Sequence, residues 1–321
     1  MGRDACALVV VLVLGVVSGC TRHAQLEAKR PLPVVPPNLP TTPTAAGPTS
    51  SDAVSPATSP PAQRPLVTST MTLALVDSSR ATVSAGRTIS DSRKLTTRVW
   101  YPSEGGPWPL VLFAHGFEVG PDPYVSLLET WAAAGYVVAA PEFPLTDAAV
   151  AGSDLDEADL DNQPADMAFV FAQLLNPVGA LSGYVDPGRL AVAGHSDGAQ
   201  TALATAAALP VPLGAVIVLS GAPVGSGPSG NPPILVVHGD ADSIDPYEKG
   251  KAVYDQARSP RYLLTLLGGG HLPPLTGGSE YREVVDKTTI DFLDAYVAHT
   301  GPAAALLDDG RRGLATVDTV A

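Results

Sequence analysis

Residues Gly194-His195-Ser196-Asp197-Gly198 stand directly between the apolar run Leu190–Ala193 and the helix-forming stretch Ala199–Ala208. A strand that must become a helix within five residues needs a sharp elbow. Glycines on both sides let backbone pass close to backbone, and the serine between them is lifted above the sheet edge. A hydroxyl held there is within reach of a neighbouring base, which is what a serine nucleophile requires. The bare Gly-x-Ser-x-Gly pattern also occurs in ordinary surface turns, so its meaning rests on what the rest of the chain supplies.

Beyond residue 70 short β-branched runs alternate with helical stretches, the pattern of a mostly parallel sheet covered by helices. Strands are predicted at Met71–Val76, Thr97–Tyr101, Leu110–Ala114, Tyr136–Ala140, Leu190–Ala193, Ala215–Leu219, Ile234–Val237 and Tyr262–Leu267. Helices are predicted at Pro123–Ala134, Gln163–Leu175, Asp197–Leu209, Pro246–Ala257 and Glu280–His299, each opening near Pro, Asp, Glu or Ser. The expected fold is therefore α/β, with an eight-stranded, mostly parallel sheet flanked by helices. Between the sixth and seventh strands the chain offers Ser220–Pro233, rich in Gly, Pro and Ser, which leaves no room for a helical lid.

Two further segments supply chemistry. His115-Gly116-Phe117 follows the strand Leu110–Ala114, and a backbone N–H in that loop, together with the N–H of Asp197, would form an oxyanion hole. Downstream, the run from His238 to Pro246 ends the seventh strand with Asp240, Asp242 and Asp245, and Gly268-Gly269-Gly270-His271 ends the eighth. Asp245 adjoins the helix-starting Pro246, where a capping role suffices. His115, His195 and His238 sit at strand ends beside glycines or the elbow and read as structural.

The order Ser, Asp, His matches the triad order of the α/β-hydrolases. From about residue 71 to 300 the chain resembles the dienelactone-hydrolase-like branch of that superfamily, which includes cutinase-like polyesterases and platelet-activating-factor acetylhydrolases. The elbow, the His-Gly-Phe loop and the Gly-Asp-Ala-Asp-x-x-x-Pro turn carry the likeness. It implies an α/β-hydrolase fold in which Ser196 is the nucleophile, His271 the base and Asp242, four residues before the proline, the acid. By the same resemblance the amides of Phe117 and Asp197 are the oxyanion donors, and no cofactor or metal is needed. The expected activity is hydrolysis of small to medium neutral carboxylic esters through an acyl-enzyme. A lipase or polyester hydrolase, and a surface binding protein that keeps the fold without turnover, are the alternatives.

Three departures qualify the likeness. Asp197 sets a carboxylate beside the oxyanion site, where relatives often carry Met, Leu, Gln or Phe. Ala222-Pro223-Val224 resembles the Ala-Pro-Trp of cutinase-like polyesterases but lacks the tryptophan. Asp147, Asp154, Asp156, Glu157, Asp159 and Asp161 crowd one loop without EF-hand spacing or its turn glycine, and read as a solvated acidic loop.

The N-terminus has its own logic. Arg3 precedes an apolar run of 13 residues, Ala5–Val17, too short to span a bilayer, and Val17-Ser18-Gly19-Cys20 resembles the lipobox of bacterial lipoproteins. Residues 1–19 are expected to be a signal peptide and Cys20 the site of lipidation, anchoring the protein to the outer face of the cell membrane. Eleven prolines between residues 21 and 65 make that stretch a lipidated tether. Residues 66–300 form the catalytic domain and 301–321 a C-terminal tail. A net charge of −13 without a basic cluster argues against nucleic acid as a partner, leaving a small-molecule ester and the membrane. Cys6 lies within the signal, so the mature domain has no thiol for a disulfide or metal site.

Overall fold

The structure is a computed structural model that describes residues 65–320, apart from Pro177 and Ser226. The expected signal peptide, Cys20 and all but the end of the tether lie outside the described residues.

The chain forms β1 (Thr68–Asp77), β2 (Thr82–Ser84), β3 (Arg87–Ser90), β4 (Arg93–Pro102), β5 (Trp108–Ala114), α1 (Val125–Ala133), β6 (Val137–Pro141) and the short α2 (Ala148–Ala151). It continues through α3 (Gln163–Leu174), β7 (Val185–His195), α4 (Asp197–Ala208), β8 (Ala215–Leu219), β9 (Ile234–Gly239), α5 (Tyr247–Gln256), β10 (Arg261–Leu266), α6 (Arg282–Leu293) and β11 (Ala315–Val320). Every predicted strand and helix is present, with ends moved by a few residues. A single turn of π-helix, Asp294–Ala298, finishes the last predicted helix.

The main sheet has nine strands in the order β1-β4-β6-β5-β7-β8-β9-β10-β11, against the eight expected. The added strand is β11, antiparallel on the edge strand β10. In the same C-terminal segment Leu306 is fully buried against the core. The β2–β3 hairpin was also not foreseen; its strands are too short and polar to show a period of two.

From β6 to β10 along this order, adjacent strands run parallel, and β6, β8 and β9 are buried along their whole length. That is the burial expected of parallel strands covered on both faces. Alternate residues go to opposite layers. Val111 and Phe113 of β5 pack with Leu127, Leu128 and Trp131 of α1 and Phe292 of α6. Leu110 and Leu112 pack instead with Met167 and Phe171 of α3 and Leu203 of α4.

β5 lies between β6 and β7, so the chain leaves β5 to one side and later returns on the other. The crevice above the carboxyl ends of two such strands is where open α/β sheets bind ligands. β5 ends at the His115-Gly116-Phe117 loop and β7 at the elbow. The described residues of Ser220–Pro233 contain no helix over that end of the sheet.

The acidic loop departs in part from its expected solvated state, with Asp147 and Asp159 buried. Asp159 is buried, and both its oxygens accept from the buried Arg93 guanidinium at 2.9 and 2.7 Å; Asp166 of α3 takes two further bonds from the same group at 2.7 and 2.6 Å. Asp154 pairs with Arg87, and Asp156 accepts the Ala85 amide. The loop is thereby tied to β4 and to the β2–β3 hairpin. Desolvating Asp159 and Asp166 is tolerated because each meets the Arg93 guanidinium, while Glu157 and Asp161 stay exposed as expected.

Candidate active site

Ser196 has φ 56° and ψ −125°, a conformation that a residue with a side chain adopts only at a cost on the order of 1–2 kcal/mol. Its surroundings hold it there. The Ser196 amide donates to Leu219 O at 2.9 Å, and its carbonyl accepts from the Ala199 amide at 2.9 Å. The glycines of the elbow are required by contact. A Cβ on Gly194 would collide with Gly198 O, and one on Gly198 with Ala114 O and His115 O. A Cβ on Gly116 would come within 3.3 Å of Ser196 Cβ, so the loop after β5 lies directly against the serine.

The carboxylate and imidazole predicted to complete the site meet. His271 Nδ1 lies 2.7 Å from Asp242 Oδ2, and Asp242 Oδ1 accepts from the amides of Ile244 at 3.0 Å and Asp245 at 2.9 Å. Burial works against the charge on Asp242, but the His271 bond and the two amides outweigh it and hold its carboxyl below the ordinary value. With the Nδ1 proton committed to Asp242, Nε2 of His271 is free to accept one. The remaining link, from the Ser196 hydroxyl to His271 Nε2, is not among the hydrogen bonds of the described residues. Such bonds are often open until substrate is bound.

The other carboxylates of the turn have different work. Asp240 accepts the Gly268 amide at 2.6 Å, fixing the loop that carries His271. Asp245 pairs with Lys249 at 2.6 Å and makes no capping bond to α5, contrary to the cap expected of it. His238 reaches Asp245 O at 2.8 Å and stands 3.5 Å from Asp242 Oδ2.

The His115-Gly116-Phe117 loop is braced from behind. His115 Nδ1 donates to Gly116 O at 2.8 Å, and His115 Nε2 accepts the Phe143 amide at 3.1 Å. Gly116 O and Phe117 N belong to one planar trans peptide, so drawing the carbonyl toward His115 turns the Phe117 N–H the opposite way. Phe117 N–H makes no hydrogen bond among the described residues, and Asp197, as first residue of α4, has no intrahelical acceptor for its own. The following residue, Glu118, takes φ 64°, and its amide is held by Thr146 O at 2.9 Å.

Asp197 receives a bond from Gln200 Nε2 at 2.8 Å. Burial, and then the nearby Glu157 and Asp245, push its carboxyl above the ordinary value. His195 was expected to be structural, and it is buried, but its position was not foreseen: its Nε2 lies 3.1 Å from His271 O and its Nδ1 2.8 Å from Tyr124 Oη. A histidine closing an apolar strand must be neutral and must find two partners, the one clue in the sequence to those contacts. Tyr124 and Ser220, whose hydroxyl reaches His271 O at 3.3 Å, gave no such clue.

No curated protein matches the chain. The chlorophyllase family model matches residues 71–238, which is just over half of the 321 residues and takes in the His115-Gly116-Phe117 loop and the elbow while stopping short of Asp242 and His271. With the elbow and the loop facing it inside that match, the chain belongs to the chlorophyllase family and is an ester-bond hydrolase on an α/β-hydrolase fold.

Proposed function

We propose that the protein is a serine carboxylic-ester hydrolase acting on small to medium neutral esters. The observation that carries this reading is the 2.7 Å pairing of His271 with Asp242 at the crevice where Ser196 is held in its strained turn. His271 Nε2 takes the hydroxyl proton as Ser196 Oγ attacks the ester carbonyl carbon, and the Phe117 and Asp197 amides receive the oxyanion. Asp242 stays ionised and stabilises the imidazolium. Nε2 then returns the proton to the departing alcohol oxygen. Water, deprotonated by the same nitrogen, attacks the acyl carbon, and Nε2 passes that proton to the departing Ser196 Oγ, releasing the acid and the serine.

The absence of a helix in the described part of Ser220–Pro233 supports an open site that works on dissolved monomeric ester. The half-buried Asp197 and the neighbouring Glu118 disfavour an anionic substrate. Lipidation at Cys20 and attachment to the outer face of the cell membrane belong to the same proposal and rest on sequence alone. A fluorophosphonate probe should label the wild-type protein, and Ser196→Ala should neither label nor hydrolyse p-nitrophenyl esters. A Ser196→Ala protein retaining more than about a hundredth of the wild-type rate would show that another group is the nucleophile, because triad losses are usually far larger.

A further inference from the structure

We propose that Tyr124 and His195 form a buried positioning relay that holds the oxyanion loop and the catalytic base in one register. The inference rests on the serine-esterase reading of the site. Three hydrogen bonds run in a row. The Gly116 amide donates to Tyr124 Oη at 3.3 Å, the Tyr124 hydroxyl donates to His195 Nδ1 at 2.8 Å, and His195 Nε2 donates to His271 O at 3.1 Å.

Their directions are forced. A carbonyl cannot donate, so the proton of His195 must be on Nε2; Nδ1 is then an acceptor, and among the described residues the donor facing it is the tyrosine hydroxyl. That hydroxyl has spent its proton and accepts the Gly116 amide with a lone pair. Burial pushes His195 down to about 3, so the ring is neutral and this tautomer persists.

The relay joins what the chain keeps apart. Gly116 follows β5, Tyr124 immediately precedes α1, His195 ends β7 and His271 follows β10. Both ends of the relay are backbone groups next to the reacting machinery. Gly116 N is one peptide before the Phe117 N–H, and His271 O belongs to the base itself. Tyr124 is fully buried and His195 nearly so, and hydrogen bonds in series at low dielectric polarise one another. Ser220 adds a second donor to His271 O at 3.3 Å, from a residue itself held at φ 46°. A displacement of the loop is thus passed to the base through two buried side chains.

Positioning of this kind acts on contacts that tighten in the transition state, so it affects turnover more than ground-state binding. The test measures kcat and KM for a p-nitrophenyl ester, per active site titrated with a fluorophosphonate, in Tyr124→Phe, His195→Gln, His195→Leu and the Tyr124→Phe/His195→Leu double variant. Each of Tyr124→Phe and His195→Leu should lower kcat per titrated site roughly 5- to 30-fold with KM within about twofold. His195→Gln should retain more activity than His195→Leu, because its amide can still donate to His271 O. The double variant should fall no more than about twofold below the worse single one, since breaking one chain twice costs little more than breaking it once.

A role confined to packing would lower the fraction of titratable sites or the melting temperature and leave kcat per site alone. Unchanged kcat per site in Tyr124→Phe and His195→Leu, or losses that multiply in the double variant, would overturn the relay. If one variant does not fold, the contrast between the remaining variants and wild type decides. The rate of Ser196→Ala on the same ester, taken per mole of folded protein, separates the two claims. An inert Ser196→Ala beside fully active relay variants removes the relay and keeps the esterase, whereas an active Ser196→Ala removes both.

Discussion

Acid should destabilise this protein through His115, and the size of the effect follows from its surroundings. The ring is buried to 1 % exposure, donates from Nδ1 to Gly116 O and accepts the Phe143 amide on Nε2. Protonating Nε2 would set one N–H against another. Burial pushes His115 down to about 4, whereas in the unfolded chain a histidine titrates near 6.5. Between those values the unfolded chain binds a proton that the folded protein refuses, so stability is complete above about 6.5 and falls as the pH drops toward 4.

Integrating from pH 7.5 to pH 5.0 gives a loss of about 2 kcal/mol from this one group, a sizeable share of the 5–15 kcal/mol that holds a typical domain together. Urea unfolding of wild type and His115→Gln at the two pH values isolates it, because every other titrating group contributes to both proteins. The pH-dependent part of the stability should shrink by about 2 kcal/mol in His115→Gln, whatever that substitution costs at pH 7.5. An equal pH dependence in the two proteins, within about 0.5 kcal/mol, would mean that the folded state accepts the proton and that burial does not keep His115 neutral.

Three other outcomes are expected. Asp242→Asn should lower kcat by about three to four orders of magnitude, while Asp245→Asn, which loses a partly exposed pair with Lys249, should stay within a few-fold of wild type; ester kinetics that reverse this ranking would move the acid to Asp245. Arg93→Met should cost about 3–5 kcal/mol in denaturant unfolding, because Asp159 would be left buried with no cation and Asp166 with Arg80 alone, and a loss under about 1 kcal/mol would contradict that account. Removing residues 311–321 should expose the edge of β10 and cause concentration-dependent association in light scattering; a monomer with an unchanged melting temperature would show that β11 is dispensable.

What the chain determined by itself is local and periodic. Leu110–Ala114, Leu190–Ala193 and Ala215–Leu219 read as buried strands because parallel strands covered on both faces need unbroken apolar runs, and all three are such strands. The elbow was legible for a related reason, since Gly194 and Gly198 leave room that no larger residue would. Tertiary structure decided whatever depends on partners distant in sequence. Ala315–Val320 is too polar and exposed to announce a strand and becomes one by pairing with β10. Asp159 reads as a surface acid until Arg93, 66 residues away, meets it in the interior. His195 and Tyr124 lie 71 residues apart and His195 and His271 another 76, and a sequence carries no direct record of which polar groups will share one buried space. Burial strips water from those groups, and only the packed fold decides which donor replaces it.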